Sequence, residues 1–184
     1  MSRPQLVDDA QAAAGRGWRV FPLVPGRKQP RKAATDWETT ATTNPDRIAR
    51  WWAAHPADNV AVATGPSGLV VVDLDVPRPG DTPPPRWAGC ANGADVLDHL
   101  ARSAGAHVPA TFTVATPSGG RHLYYRAPAG APLRNTSGRA GWKVDSRAAG
   151  GYVVAAGSRL PAGLYRLDDD RPPVALPGWL ARLL

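Results

Sequence analysis

Two aspartates set two residues apart hold the most reactive groups in the sequence. Asp73 and Asp75 close the apolar run LVVVDLDV at residues 69–76. Because side chains two residues apart in a β-strand point to the same face, these carboxylates should project together. Adjacent carboxylates repel each other unless one is protonated or a cation lies between them. A divalent ion such as Mg²⁺, with phosphate oxygens completing its shell, would remove that conflict; the alternative is a pair of solvated acids at a strand end.

A turn of small residues followed by a histidine forms the second reactive segment, TPSGGRHLYY at residues 116–125. A Ser-Gly-Gly turn lets backbone N–H groups approach an anion closely. His122 opens the strand that follows, and Arg121 and Arg126 add positive charge nearby. The pattern predicts a phosphate-binding turn, and the alternative is an ordinary hairpin with a half-buried histidine.

A third acid lies between two bases in the segment KVDSR at residues 143–147. The strand period of two places Lys143, Asp145 and Arg147 on one face. Taken alone, such an acid is most simply a salt-bridged surface residue. Joined to Asp73 and Asp75 it makes three carboxylates, which can hold two metal ions and align a hydroxyl with an α-phosphate.

A basic loop follows the first predicted strand, at residues 25–36. Arg27, Lys28, Arg31 and Lys32 place four cations within six residues. Such a cluster repels itself unless an anion is near. We expect this loop, together with Arg147, to contact phosphates of a nucleic acid or a nucleotide; the alternative is a solvated connector.

The composition favours a polyanionic partner and excludes several classes of site. The 184 residues include 22 Lys and Arg against 15 Asp and Glu, a net charge of +7 that suits nucleic acid or a nucleotide. Cys90 is the single cysteine, which excludes a Cys-rich zinc ribbon, an iron–sulfur site and an intramolecular disulfide. Neither a P-loop nor a GxGxxG motif is present. Signal-peptide and membrane-span patterns are also lacking, so we expect a cytoplasmic protein without a membrane contact.

The order of predicted elements is typical of an α+β protein. Gly and Pro number 19 and 20, which disfavours long helices and favours a turn-rich fold of short strands. The strands at 142–147 and 152–155 are expected to pair with each other around Gly150-Gly151, and the Pro-rich segment at 77–93 to form an irregular, disordered loop. We predict helices packed on a mostly antiparallel sheet. Helices are predicted at residues 5–16, 45–55, 94–103 and 177–184, and further strands at 18–24, 59–63, 69–76, 111–115, 121–126 and 164–167.

The three reactive segments, taken in order, resemble the motifs of a known family. DLD at 73–75, SGGRH at 118–122 and VD at 144–145 are similar to the three motifs of the archaeo-eukaryotic primase superfamily. The resemblance is closest to the bifunctional DNA primase/polymerase (prim-pol) N-terminal domain. It extends to the flanking segments GRKQP at 26–30, NPDRIARWW at 44–52, NVAVATG at 59–65, TPSGGRHLYYR at 116–126 and DSRAAGGYVVAAGS at 145–158.

The resemblance implies the archaeo-eukaryotic primase catalytic core, an α+β fold. In that core an RRM-like, mostly antiparallel sheet with packed helices adjoins an N-terminal α/β unit, and the active site lies in the cleft between them. Applied to this chain, it gives a single prim-pol catalytic domain over residues 1–184. We expect the N-terminal unit at 1–65, the RRM-like unit with its Pro-rich loop at 66–170, and a C-terminal tail or helix at 171–184.

The resemblance also implies roles for individual residues. Asp73, Asp75 and Asp145 would bind Mg²⁺ or Mn²⁺ in a two-metal site, and His122 would contact the triphosphate of the incoming nucleotide. These four residues form the predicted catalytic set. The predicted nucleotide-binding set comprises His122, Ser118, Gly119, Gly120, Arg121, Arg147 and Lys28.

The implied activity is that of a metal-dependent nucleotidyltransferase, a DNA primase or polymerase. It would add nucleotides to a 3′-hydroxyl with release of pyrophosphate, in replication or repair of the DNA of a mobile element. The expected partners are nucleoside triphosphates, a DNA template and primer, and a helicase or accessory primer-binding protein, since neither module is recognised in the chain. Two alternatives stay open: a nucleotide- or nucleic-acid-binding module with a decayed active site, and a DxD phosphatase with Asp73 as nucleophile, for which Lys143 is poorly placed.

Overall fold

The computed structural model describes residues 6–130 and 133–184, so Gln5, the first residue of the predicted N-terminal helix, lies outside the described residues. Asn44 caps the third helix by accepting a hydrogen bond from the N–H of Arg47 at 2.9 Å, as the Asn44-Pro45 pair predicts. No helix within the described ranges has the length and apolar character that crossing a lipid bilayer requires. The α-helices of the described chain are α1 (Leu6–Gly15), α2 (Trp37–Thr40), α3 (Pro45–Ala54), α4 (Gly93–Ser103) and α5 (Gly178–Ala181).

Short strands make up most of the remaining regular structure. They are β1 (Val20–Leu23), β2 (Asn59–Ala63), β3 (Leu69–Leu74), β4 (Thr113–Ala115), β5 (Arg121–Arg126), β6 (Thr136–Gly141), β7 (Val144–Arg147), β8 (Tyr152–Val154), β9 (Arg159–Leu160), β10 (Gly163–Leu164), β11 (Arg166–Asp169) and β12 (Val174–Ala175).

These strands form two principal sheets. The small sheet has the order β1-β2-β8, and the large sheet has the order β11-β4-β5-β3-β7-β6, with β12 added alongside β5. All pairings are antiparallel except that of β12 with β5, and β9 pairs with β10 as a separate hairpin. The predicted α+β class with mostly antiparallel sheets is confirmed.

Strand β3 is central because both of its faces are apolar. Leu69 and Val71 on one face join the core formed with the small sheet, α1 and α3. Val70 and Val72 on the other face join the core formed with α4 and α5. The large sheet is therefore the middle layer of the protein, and an acid on β3 lies at the junction of two covered faces.

The predicted pairing of residues 142–147 with 152–155 is wrong. Strand β7 pairs with β3 and β6 in the large sheet, whereas β8 pairs with β2 in the small sheet. The chain therefore crosses from the large sheet to the small sheet between β7 and β8. This crossing is held by Thr64, whose hydroxyl donates to the carbonyls of Ala148 and Gly151. Gly150 turns the chain there with a positive φ of 77°, which favours glycine. The edge of β2 offers β8 an apolar partner that a local hairpin would not supply.

The Pro-rich segment is largely irregular, as predicted, and residues 78–86 are exposed, but it is anchored to the body of the protein at Trp87. A short 3₁₀ turn at Pro85–Trp87 buries the Trp87 indole among residues of α4 and β6. A side chain at Gly141 would come within 2.9 Å of that indole, so the strand leaves room for it. Helix α2 and strand β6 lack an apolar periodicity, and the sequence analysis did not predict them.

Candidate active site

Three predicted site residues form one row across the large sheet. Asp73 on β3 lies directly opposite His122 on β5 and directly opposite Asp145 on β7. Residues opposite each other on adjacent strands share a face, with Cβ atoms about 5 Å apart. Because Asp73 alternates with the buried Leu74, the row lies on the face that also bears Val71. The three motifs therefore meet at the centre of the sheet.

Asp73 and His122 of this row line a cleft between the two sheets, which we call the inner cleft. Its volume is about 270 Å³. Residues from the large sheet form one wall, residues from β8 form another, and the basic loop adds a cation. The inner cleft is lined by Lys28, Asp73, His122, Asn135, Arg147, Gly150, Gly151, Tyr152, Val153, Val154 and Tyr165.

Asp73 is the most perturbed acid of the site. Burial raises the pKa of its carboxyl from 3.8 to about 6; the positive charge of Arg147 opposes this rise and the carboxylate of Asp145 adds to it. Burial raises the pKa of Asp75 as well, with repulsion from Asp73 and Asp145 as further causes. Repulsion from a neighbouring carboxylate thus adds to the effect of burial at both Asp73 and Asp75, which is the kind of electrostatic conflict that the sequence predicts.

His122 is buried and neutral. Its Nε2 atom lies 3.5 Å from a carboxylate oxygen of Asp73, longer than a normal hydrogen bond, and its Nδ1 atom is buried without a partner. Burial lowers the pKa of this imidazole to about 3, and the positive charge of Lys28 adds to the effect. A buried polar atom without a partner costs free energy unless a ligand satisfies it.

Two glycines let the backbone pack closely around the acids. A Cβ at Gly120 would lie 2.4 Å from the carbonyl oxygen of Leu74, between the two aspartates of the first motif. A Cβ at Gly93 would lie 2.1 Å from the carbonyl oxygen of Lys143. The N–H of Asp75 donates to that same oxygen at 2.9 Å. The small residues after the first strand motif therefore position its carboxylates through main-chain contacts.

The basic loop divides into an anchor and a free cation. Arg31 makes a double hydrogen bond to the buried carboxylate of Asp58, so it is not available to a phosphate, in contrast to its predicted role. Lys28 instead extends to the inner cleft. Its backbone carbonyl accepts a hydrogen bond from the Tyr152 hydroxyl at 3.1 Å, which ties the loop to β8.

The predicted nucleotide-binding residues are only partly brought together. Arg121 neighbours His122 in β5 and so points to the opposite face, where it pairs with Asp168 at 3.4 Å. The N–H of Gly119 donates within its own turn, to Thr116. Ser118 lies near the acids, in a groove that also includes Asp75 and Lys28.

The sequence pattern predicts that Lys143 shares a strand face with Asp145 and Arg147. This prediction is wrong. Strand β7 begins only at Val144, and Lys143 adopts a left-handed backbone conformation with a φ of 62°. Asp145 and Arg147 do share a face, and their side chains lie 3.4 Å apart. The N–H of Gly138 also donates to Asp145 at 2.9 Å.

The family follows from comparison with known sequences. The profile described as bifunctional DNA primase/polymerase, N-terminal, matches residues 10–179. The chain belongs to this prim-pol family. None of the curated proteins matches it. The matched range includes both sheets and all three motifs of the central row.

The donor chemistry of this prim-pol domain fits a hard divalent cation. Carboxylate oxygens are the ligands that Mg²⁺ prefers, and burial together with repulsion between carboxylates raises the pKa values of Asp73 and Asp75, both of which effects a cation would offset. Asp73 faces the inner cleft, whereas Asp75 and Asp145 line an adjoining one. Within the described residues no three His, Cys, Asp or Glu side chains are grouped closely enough to hold a metal ion. Metal binding therefore stays a prediction.

Three residues of the inner cleft were missed by sequence reasoning. Tyr165 lies against His122, with ring centroids 5.6 Å apart, and Tyr152 supports Lys28. Asn135 accepts from the N–H of Ala148 and donates to the carbonyl of Gly150, which fixes the crossing between the sheets. Only Tyr152 carried a sequence signal, its place beside the Gly-Gly pair; a lone Asn or Tyr in a loop carries none.

Proposed function

We propose that this prim-pol domain is a metal-dependent nucleotidyltransferase of the DNA primase/polymerase type. It adds a nucleotide to a 3′-hydroxyl and releases pyrophosphate. The observation that carries the proposal is the row of His122, Asp73 and Asp145 across the sheet, with Lys28 and Arg147 beside His122 and Asp73 at the inner cleft. Acids beside an imidazole and two cations suit a substrate that brings both a hydroxyl and a triphosphate.

The triphosphate is assigned to the His122 side of the inner cleft. A neutral imidazole donates one hydrogen bond to a phosphate oxygen, and its buried, unpartnered Nδ1 shows that its hydrogen bonding is unfulfilled within the protein. Lys28 and Arg147 line the same cleft and supply positive charge. Together they bind and orient the triphosphate without a proton transfer from the protein.

We assign the three carboxylates to the part of the site where the 3′-hydroxyl attacks and pyrophosphate leaves. Asp73, Asp75 and Asp145 would hold Mg²⁺ or Mn²⁺, which lowers the pKa of the 3′-hydroxyl and neutralises the leaving pyrophosphate when bound. Asp145 is oriented by the N–H of Gly138 and by Arg147. Asp75 is oriented through its backbone contact with Lys143. These contacts hold the acids at fixed positions despite their mutual repulsion.

The fold assignment is part of the same proposal. We assign the large sheet, with α4 and α5, to the RRM-like unit of an archaeo-eukaryotic primase core, and the small sheet with α1 and α3 to its N-terminal unit. The physiological role would be replication or repair of mobile-element DNA, with nucleoside triphosphates, primed DNA and a helicase or primer-binding protein as partners.

Primer extension tests the activity. Labelled primer–template would be incubated with ribo- or deoxynucleotides in Mg²⁺, in Mn²⁺ and in EDTA. The wild type should elongate the primer only with a metal present, and Asp73→Asn should not elongate it. Asp98→Asn, at an exposed position on α4, is the matched control and should retain activity.

Two other results would redirect the assignment. Nucleotide and DNA binding without elongation under any condition would identify a binding module with an inactive site. Release of inorganic phosphate from a small phosphoester, abolished by Asp73→Asn, would identify a DxD phosphatase.

A further inference from the structure

A groove that contains none of the three carboxylates combines apolar walls with one acid and one cation, and we call it the outer groove. Its volume is about 850 Å³, and none of its lining residues belongs to the inner cleft. Of the large apolar side chains in residues 6–130 and 133–184, only Leu164 and Leu167 are exposed, and Leu164 lies in this groove. A concave apolar surface with a polar rim is typical of an interaction site. Helix α1 and the β9–β10 hairpin supply its apolar walls, through Leu6, Val7, Leu160, Pro161 and Leu164.

The acid of the outer groove, Asp9 on α1, is half-buried without a cation. None of the ion pairs within the described ranges includes it. A Cβ at Gly157, where φ is 87°, would collide with this carboxylate, so a glycine is needed there to hold the acid in place. Burial raises the pKa of the Asp9 carboxyl, and repulsion from Asp8 adds to the effect. A cation brought by a ligand would offset both effects.

The cation of the outer groove, Arg159 on β9, is exposed, and it too is absent from the ion pairs of the described chain. Its main chain, in contrast, is fully used. The N–H of Arg159 donates to Oδ1 of Asn59 at 2.9 Å, and its carbonyl accepts from Nδ2 of Asn59 at 2.7 Å. An extended peptide that adds a strand needs free main-chain groups of this kind, so it finds no partner on Arg159.

We propose that the outer groove binds an amphipathic helix of another protein. The apolar face of that helix packs between α1 and the hairpin, a Lys or Arg pairs with Asp9, and an acid pairs with Arg159. Helices dock in apolar grooves through side chains at i, i+3, i+4 and i+7, and a helix needs no free strand edge. This inference goes beyond the proposed function, since it uses none of the residues assigned to nucleotide transfer.

Charge favours this occupant over two others. An anionic lipid surface brings no cation to Asp9, and its phosphates would be repelled by that carboxylate. A second copy of this chain would bring together two chains that each have a net charge of +7, which opposes association. A peptide helix carries both signs of charge beside apolar side chains, which is the combination that the outer groove offers.

A phage-displayed library of helical peptides tests the groove. The peptides would be about 18 residues long, enough for a helix to form on binding. Selection on the wild type, with Leu164→Ser as the counter-target, should enrich peptides with an apolar stripe and a Lys or Arg beside it. Failure to enrich that pattern would overturn the proposal.

The charge pairing is tested with an enriched peptide and with a copy in which its Lys or Arg is replaced by Gln. Fluorescence anisotropy should show that the wild type binds the charged peptide about tenfold more tightly, the loss of one charge-assisted hydrogen bond. This preference should vanish in Asp9→Asn. Asp8→Asn removes a neighbouring charge from the same turn of α1, so it is the matched control and should keep the preference. A preference that persists in Asp9→Asn would contradict the pairing.

The second charge and the apolar contact have tests of their own. Arg159→Gln should weaken the binding of peptides that carry an acid by about two- to threefold, because an exposed ion pair contributes little. Leu164→Ser should weaken peptide binding several-fold through lost apolar contact. Leu167→Ser is its matched control, since Leu167 is also exposed but lies outside the groove. Melting temperatures check that both variants fold, and equal affinity in both would contradict the docking site.

Two further measurements identify the other occupants. Self-association of the wild type in sedimentation, abolished by Leu164→Ser, would assign the groove to a second copy. Binding to phosphatidylcholine vesicles, abolished by the same change, would assign it to a lipid surface. Either result would overturn the proposal. Primer elongation by Asp9→Asn and Leu164→Ser should equal that of the wild type, because neither residue lines the inner cleft.

Discussion

Arg31 donates hydrogen bonds from Nε and Nη2 to the buried carboxylate of Asp58, at 2.7–2.9 Å. The indole N–H of Trp51 donates to the same carboxylate at 3.0 Å. The basic loop is therefore anchored to the end of α3. Lys28, earlier in the same loop, lies at the inner cleft. One cation of the loop is an anchor, and another lines the inner cleft.

Removing Lys28 should weaken nucleotide binding without affecting the fold. Lys28→Ala should raise the nucleotide dissociation constant about tenfold, because a charge-assisted hydrogen bond contributes about 1.5–3 kcal/mol. Titration calorimetry measures the constant, and the melting temperature should not move. Arg27→Ala, next in the loop and exposed, is the control. A comparable loss of affinity in that variant would mean that only the total charge of the loop matters.

Removing Asp58 should have the opposite signature. Asp58→Ala leaves the Trp51 indole N–H and the Arg31 guanidinium without their shared acceptor. We expect the free energy of unfolding to fall by about 1–3 kcal/mol, the cost of unsatisfied buried groups. Urea denaturation measures it. At temperatures well below the melting temperature, nucleotide affinity should fall only to the extent that Lys28 is displaced from the inner cleft. A variant as stable as the wild type would show that the anchor contributes nothing.

Asp73 should destabilise the metal-free protein above about pH 6. Its pKa is near 6 in the folded protein and near 3.8 when exposed, so the folded chain binds the extra proton between these values. The contribution of Asp73 to stability therefore falls as the pH rises from about 4 to 6. Asp73→Asn should be more stable at pH 8 in EDTA by up to about 3 kcal/mol, and the gain should vanish near pH 4. Urea denaturation at several pH values, with Asp98→Asn as control, checks this. A gain that does not depend on pH would contradict the assignment.

His122 should act as a neutral group throughout the physiological range. Because its pKa is near 3, triphosphate affinity should show no imidazole titration near pH 6.5. His122→Ala should weaken nucleotide binding about tenfold, the loss of one charge-assisted hydrogen bond. Titrations from pH 5.5 to 8 measure both effects. An inflection near pH 6.5 that disappears in the variant would show that the imidazole is protonated at the site.

The same imidazole should make the fold sensitive to acid. Below about pH 6.5 the unfolded chain binds a proton that the folded chain refuses until about pH 3. The contribution of His122 to stability therefore falls as the pH drops through that window, opposite in direction to the contribution of Asp73. His122→Asn should lose less stability than the wild type between pH 6.5 and pH 4.5, measured by urea denaturation.

The central part of the fold could be predicted from the sequence. Strand β3 has an apolar run that only a doubly covered strand needs, and Asn44 and Pro45 mark a helix start by local chemistry. The partner of β8 could not be predicted in this way. Its choice depends on the edge of β2, which is distant in sequence, and nothing within residues 142–155 records it.

The site could be predicted to a similar extent. The spacing of two predicts a common face for Asp73 and Asp75, but β3 ends at Leu74 and the two carboxylates line adjoining clefts. The same rule fails for Lys143, because this residue has a left-handed backbone conformation and β7 begins only at Val144. The sequence could not show that Arg31 is an anchor whereas Lys28 lines the cleft, because Asp58, the partner of Arg31, lies beyond α2 and α3.

Substitution of Gly120 tests how closely the second motif packs on the first. The added methyl of Gly120→Ala would lie 2.4 Å from the Leu74 carbonyl oxygen, a backbone atom that cannot move aside. We expect a loss of about 1–3 kcal/mol in stability, the usual cost of overpacking, and loss of nucleotide incorporation. Gly15→Ala, where no atom lies within 4 Å of the new methyl, is the control. Normal activity in Gly120→Ala would show that the two motifs adjust independently.

The crossing from β7 to β8 also determines the order in which the parts of the inner cleft become available during synthesis on the ribosome. The carboxylates of β3 and β7 are synthesised before β8, yet the edge of β2 that pairs with β8 has no partner strand until Tyr152–Val154 emerge. Contacts between such distant residues form late in folding. A nascent chain that stops before Tyr152 therefore carries all three acids but lacks the opposite wall of the inner cleft. Under the proposed function, nucleotide binding would begin only when nearly the whole domain has been made.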